Sequence, residues 1–368
     1  MTMTENAIRR ADSGLGSTEC PDRDRRTPFF LFGLGNRSKL IYRGGTLTRC
    51  SDGEVIWRGE ALGEEILAAD YRARIRTAAG WVCISEDEEG ISLTDERGER
   101  TELSRSPVRL PSFAAHPFRD AMRILHHDVL VNICGGKPLP NFFVYDRPWY
   151  RDGAMMAMVL ERTGNLSLIA EWARGLGELY DRNNAGAEES DNLGQLLYLL
   201  AVTGNRSHPL IPRAVEEAGR RMTDGALTGL SDFAEHPVYQ TKWLKYGMEA
   251  LGLDTGSIRI PDVRDDYGGL FWMDGHREPY DGAYDENYPY LSWARAHTAG
   301  FAMDEAHLDA LRCPVYPISH ETAASQAKYE ALRPFLPAYA DAGTAAPHTW
   351  HASEMYLYLD DLAREGNR

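Results

Sequence analysis

The chain has 368 residues, with 40 Lys plus Arg against 55 Asp plus Glu and a formal charge of −15. A hydrophobic content of 43% supports a packed core and excludes disorder along the whole chain, while the acidic balance argues against holding nucleic acid or an anionic membrane by charge. No apolar run reaches the roughly 18–20 residues that span a bilayer, and the N-terminus lacks the apolar stretch of a secretory signal, so cytoplasm is the expected compartment.

Residues 1–28 are polar, charged and rich in turn formers, and read as a mobile arm. Residues 29–110 read as an antiparallel β domain. Runs such as Phe29-Phe30-Leu31-Phe32, Lys39-Leu40-Ile41-Tyr42 and Glu54-Val55-Ile56-Trp57 are short, β-branched or aromatic, and separated by Gly-rich turns. Beyond residue 111 the period becomes helical. The pattern predicts helices over 120–131, 153–163, 166–181, 191–203, 213–222, 238–251, 292–303, 321–332 and 351–364, punctuated by Gly and Pro. Residues 153–160 have no polar face, so that helix must be surrounded by others. Fully buried helices alternating with amphipathic ones suggest an inner and an outer ring over 111–368. The five cysteines, Cys20, Cys50, Cys83, Cys134 and Cys313, form no CxxC pair and read as free thiols.

Polar groups gather at the ends of the buried helices. Trp149, Tyr150, Arg151 and Asp152 open the helix at 153; aromatic faces beside a guanidinium and a carboxylate suit a sugar, although Asp152 as a helix cap with Arg151 as counter-ion is the plainer alternative. Asp191 and Gln195 lie one turn apart on one helical face. Asp232 precedes a helix carrying Tyr239, Lys242 and Trp243, and Glu321 stands at a loop-to-helix junction. Near the C-terminus His348, Trp350, His351 and Glu354 fall close together; the two histidines have no third ligand spaced to join them, so no metal and no cofactor is expected. The Asp- and Tyr-rich stretch 262–290 reads as a loop, with a lid over a polar site as the alternative. The chain has no GxGxxG after a strand, no P-loop, no GxSxG and no HExxH, which removes support for dinucleotide, phosphoryl-transfer and serine-hydrolase chemistry.

In order along the chain, these motifs resemble the six-hairpin glycosidases, in particular the glucoamylase-like bacterial pattern. The family's Trp-Pro-Arg-Asp helix start is similar to Trp149-Tyr150-Arg151-Asp152, with Tyr150 in place of Pro. Its Gln-x-Asp-x-x-Gly helix is similar to Glu189-Ser190-Asp191-Asn192-Leu193-Gly194. Its general-acid loop, Gly-x-Trp-Glu, matches Gly229-Leu230-Ser231-Asp232, with Asp for Glu. Its general base precedes a C-terminal segment resembling Pro347-His348-Thr349-Trp350-His351, as Glu321 does here. The resemblance implies a mostly-α fold, an (α/α)6 helical toroid preceded by a small antiparallel β domain.

It also implies a glycoside hydrolase acting on an oligosaccharide or glycoconjugate by an inverting, two-carboxylate mechanism. Asp232 is then the acid and Glu321 the base, with Glu354 in reserve. Trp149, Tyr150, Arg151, Asp152, Asp191, Gln195, Tyr239, Lys242, Trp243, His348, Trp350 and His351 are the substrate-binding candidates. A sugar isomerase or epimerase using the histidines, a lyase, and a non-catalytic carbohydrate-binding protein are the rival readings. The expected partner is a carbohydrate, with no nucleic acid or membrane, and a homodimer is a suspicion only.

Overall fold

Alternation of small apolar and charged residues organises the N-terminal region. The computed structural model describes residues 27–263, 265, 267, 268, 288–298 and 305–366. Strands β1 (Phe30–Phe32), β2 (Leu40–Arg43), β3 (Thr46–Arg49) and β4 (Val55–Arg58) form one antiparallel meander. Strands β5 (Gly63–Leu67), β6 (Arg72–Arg76), β7 (Trp81–Glu86), β8 (Gly90–Thr94) and β9 (Arg100–Arg105) form a second. In β6 the buried Ala73 and Ile75 alternate with exposed arginines, and in register with them β7 buries Val82, Ile84 and Glu86. A buried ion pair joins the sheets. Arg37 meets Glu86 at 2.8 Å, and Glu86 also accepts the backbone N–H groups of Gly33 and Leu34. The Arg37 Nη1, Nη2 and Nε also donate to the carbonyls of Asp87, Glu88 and Ser106, each at 2.7 Å.

The helices are α1 (Arg119–Leu130), α2 (Tyr150–Thr163), α3 (Ala170–Arg174), α4 (Asp191–Val202), α5 (Leu210–Arg221), α6 (Pro237–Leu251), α7 (Pro289–Thr298), α8 (Glu305–Arg312), α9 (Pro337–Asp341) and α10 (Thr349–Gly366). Helix α10 packs on α1 and α2, α2 on α4, and α4 on α6. Contact between α4 and α6 is backbone to backbone: a Cβ on Gly194 would overlap the peptide joining Trp243 to Leu244, and one on Gly247 would overlap the Gly194 carbonyl. A single hydrophobic core runs from β1 into these helices. Phe30 stacks near Tyr316 (4.7 Å between ring centres) and His127 of α1 (4.9 Å), and a His127 ring nitrogen bonds the Leu31 carbonyl at 2.8 Å.

The expected mostly-α toroid does not form. Among the described residues there are ten helices against fifteen strands in five sheets, with 37% helical and 18% strand residues; the separate N-terminal antiparallel sheet region is present. Two local events lower the helix count. The stretch predicted as a helix over 166–181 yields only a 3-10 turn (Leu166–Leu168) and the short α3, which stops before Gly175 and Gly177. The stretch predicted over 321–332 opens instead as β14 (Glu321–Thr322), paired with β15 (Thr344–Ala345). Two further hairpins, β10 (Ile133–Cys134) with β11 (Lys137–Pro138) and β12 (Met222–Thr223) with β13 (Ala226–Leu227), close through Gly135-Gly136 and Asp224-Gly225, all at positive φ. Such pairs are the strongest two-residue hairpin signal, and here they turn what reads as mere punctuation into strands. Cys50, Cys83 and Cys134 are free, whereas Cys313 is disulfide-bonded and so is not the expected free thiol; Cys20 and most of the arm lie outside the described residues. Among the described residues no helix is long and apolar enough to cross a membrane.

Candidate active site

The first turn of α2 carries two buried charges. Asp181 accepts the Tyr150 N–H at 2.6 Å, so a residue from the following loop caps this helix, and Asp152 is left for other contacts. Arg151 is buried and held by Glu189 (2.8 Å) and Asp191 (3.2 Å), with Tyr267 on a third contact. Its guanidinium also lies 5.3 Å from the ring centres of both Tyr267 and Trp350.

Helix α4 delivers Asp191 to this point. Gln195, one turn on, donates to Asp191 Oδ2 at 2.7 Å and to the Tyr239 hydroxyl at 3.3 Å, and Ser231 donates to Asp191 Oδ1 at 2.7 Å. Tyr239 stands in the first turns of α6, whose Val238 and Tyr239 N–H groups are accepted by Asp265 Oδ2 at 3.0 Å each. Burial raises the Asp265 carboxyl, but His236 and these backbone donors outweigh it and hold it below its usual range.

On the other side of Arg151, Asp152 faces the N-terminus of α10. Its Oδ1 accepts the Thr349 hydroxyl at 3.1 Å and lies 3.9 Å from His348 Nε2, which is 3.4 Å from Glu321 Oε1. Tyr145 donates to Glu321 Oε2 at 2.6 Å. Burial, with Glu321 adding, pushes Asp152 up to about 6 against the pull of His348 and Arg151. Burial, with the negative charge of Asp232 adding, pushes Glu321 up to about 7 against the Tyr145 hydrogen bond. Burial lowers His348 to about 4, so its imidazole is neutral, and its Nδ1 has no hydrogen-bond partner among the described residues. Three neighbouring groups therefore share protons, and the carboxyls of Asp152 and Glu321 hold theirs to higher pH than free carboxyls do.

Asp232 reaches the cluster from a tight turn. Ser231 and Ala234 exchange both backbone hydrogen bonds (2.8 and 3.2 Å), and Asp232 and Phe233 between them sit at φ +50° and +65°. The Asp232 N–H is accepted by Glu189 at 2.5 Å, its carboxylate takes the Asn184 amide at 3.3 Å, and its side chain is solvent-exposed. Aromatic walls flank the cluster: Trp350 against Tyr267 (5.0 Å) and Trp149 against Tyr145 (5.8 Å). A small open cavity lies beside it, lined by Tyr288, Tyr290, Trp293, His320 and His351, the last with its ring centre 5.1 Å from that of His348.

The structure brings Arg151, Asp152, Asp191, Gln195, Tyr239, His348, Trp350 and Glu321 together, with Asp232 at the edge. His351 and Glu354 lie one turn along α10 from His348 and Trp350, both bonded by the Tyr290 hydroxyl, at the cavity side. Three other candidates, Tyr150, Lys242 and Trp243, are buried. The Tyr150 hydroxyl is spent on the Glu178 carbonyl at 2.8 Å, and Trp243 is fully buried against Tyr198. Lys242 is buried within α6. Sequence reasoning missed Tyr145, Glu189, Ser231 and Tyr267 as site residues. Glu189, two positions before Asp191 at the mouth of a wholly buried helix, was the one with a readable signal. Of the stretch 262–290 expected as loop or lid, most lies outside the described residues. Among the described residues no group of three or more His, Cys, Asp or Glu side chains is arranged to hold a metal ion. Comparison with family models, curated proteins and solved structures yields no match to this chain.

Proposed function

We propose that the chain is a glycoside hydrolase in which Glu321 is the general acid and Asp232 the carboxylate that activates water. The observation that carries this reading is the split between these two groups: one carboxyl partly enclosed, with 18% of its side chain exposed, bonded by Tyr145 and pushed up to about 7, the other exposed and raising it through space. Environments that push two carboxyls apart are what acid–base cleavage of an acetal needs. These roles are the reverse of those the family resemblance implies, because Glu321 is the more enclosed of the two and Asp232 the more exposed.

In this mechanism Glu321, anchored through Oε2 by Tyr145, protonates the departing glycosidic oxygen as the bond to the anomeric carbon breaks. Water forms the new bond to that carbon and passes a proton to Asp232. Arg151 and Asp152 address hydroxyls, and the Trp350 and Trp149 faces pack on C–H surfaces of the sugar.

The test is proton NMR with a panel of oligosaccharides and aryl glycosides in partly deuterated buffer, wild type beside Glu321→Gln. New reducing ends in the wild type, lost in the variant for natural leaving groups but largely retained for dinitrophenyl glycosides, support the assignment. Equal loss for both leaving-group types removes Glu321 as acid. Deuterium entering sugar carbons without cleavage replaces hydrolysis with isomerisation.

A further inference from the structure

Two-residue turns with both central residues at positive φ recur in this chain. Among the described residues four of them carry glycine at the second position, Gly44-Gly45, Gly135-Gly136, Ala185-Gly186 and Asp224-Gly225. The fifth is Asp232-Phe233, where a bulky side chain occupies the second left-handed position. Packing does not account for it: Phe233 is 57% exposed, the most exposed of the chain's large hydrophobic residues among those described. Instead the turn is pinned from below. The Leu230 carbonyl accepts Ser190 N–H at 2.9 Å, Ser231 donates to Asp191, and the Asp232 N–H is held by Glu189. Strain of this kind persists only where surrounding structure imposes it. Here the imposing contacts come from Glu189 and Asp191, the same carboxylates that hold Arg151.

From this juxtaposition we infer that Phe233 is a substrate-binding residue, a flat face on which a pyranose ring of the substrate stacks while Asp232, its neighbour in the turn, faces the reacting centre. The inference rests on the glycosidase reading and adds a specificity residue to it. A sugar presents axial C–H groups to an aromatic face, and such contact needs an exposed ring rather than a buried one. Glycine is the residue the backbone asks for at this position, so the phenyl ring is retained against local preference beside the carboxylate.

The test compares wild type, Phe233→Gly and Phe233→Tyr for thermal unfolding, for KM and kcat on the glycoside that wild type cleaves, and for mass by sedimentation. Phe233→Gly is expected to keep or raise the Tm while raising KM about tenfold with a smaller change in kcat, and Phe233→Tyr to restore KM. A Tm several degrees lower in Phe233→Gly makes the ring a packing element and overturns the inference, as does an unchanged KM. A change of oligomeric state overturns it too, in favour of contact with a second copy. Wild type that neither cleaves nor, by saturation-transfer NMR, binds any member of the oligosaccharide panel overturns the glycosidase reading and this inference together. Cleavage with KM unaffected overturns this inference alone.

Discussion

Among the described residues two buried arginine–carboxylate clusters invite comparison, and they are built to opposite ends. In the β region Arg37 meets one carboxylate, Glu86, and reaches three backbone carbonyls, while Glu86 accepts two backbone N–H groups; both side chains are fully buried. The one carboxylate faces Arg37 directly and Lys39 at longer range, so negative charge is not in surplus. Around Arg151 the carboxylates outnumber the cation: Glu189 and Asp191 hold it, Asp152 adjoins it, and Glu321 with Asp232 lies beyond. The surplus cannot all ionise in a desolvated place, so Asp152 and Glu321 keep protons to about 6 and about 7. A balanced buried pair fixes geometry; an unbalanced one stores protons, and this is the difference between a structural tie and a site able to do acid–base work.

Substitution sharpens the contrast most at Glu321. Glu321→Gln should lower turnover of the glycoside that wild type cleaves by about 10²–10⁴-fold without loss of stability. Steady-state kinetics beside a urea melt checks both halves. Arg37→Met should do the reverse. Stranding Glu86 in the core costs about 3–5 kcal/mol of unfolding free energy, while KM and kcat of the folded fraction hold. If Arg37→Met changes kcat directly, the two clusters are not independent and the comparison breaks.

Acidity separates them next. Glu321 titrates at about 7 in the folded chain against an ordinary 4.5, so its support for the folded state is complete below 4.5 and is lost as pH rises through 7. Glu321→Gln removes that loss. The stability of the variant minus that of wild type should therefore grow between pH 4.5 and 7 and level off above, by on the order of 3 kcal/mol. A flat difference, measured by denaturant unfolding at several pH values, would mean that Glu321 is not the proton store. The smallest effect is expected at Tyr145. Its hydroxyl favours the ionised form of Glu321, so Tyr145→Phe should raise that carboxyl further and move the alkaline limb of the pH–rate profile upward by about half to one unit.

Much of the local structure was legible. Short β-branched and aromatic runs between Gly-rich turns located the strands, and helices appeared near 120, 150, 191, 238 and 350 as the apolar spacing predicted. The four-residue spacing of Asp191 and Gln195 predicted a contact that forms at 2.7 Å. Failure came where a segment's partner is distant. Glu321 reads as a helix start because its neighbours favour one, yet it pairs as a strand with Ala345. Losing that helix and most of 166–181 is part of what separates this mixed architecture from the expected mostly-α ring.

What the sequence determined by itself is which residues face which side of each element, since periodicity of apolar groups reports burial along one axis. It also determined that acids, aromatics and one buried arginine gather at helix mouths. Only the tertiary structure decided which acid holds a proton. Burial and charge at Glu321 come from Tyr145, Asp232 and His348, three segments with no local relation to it, and the field at a carboxyl depends on distances through space.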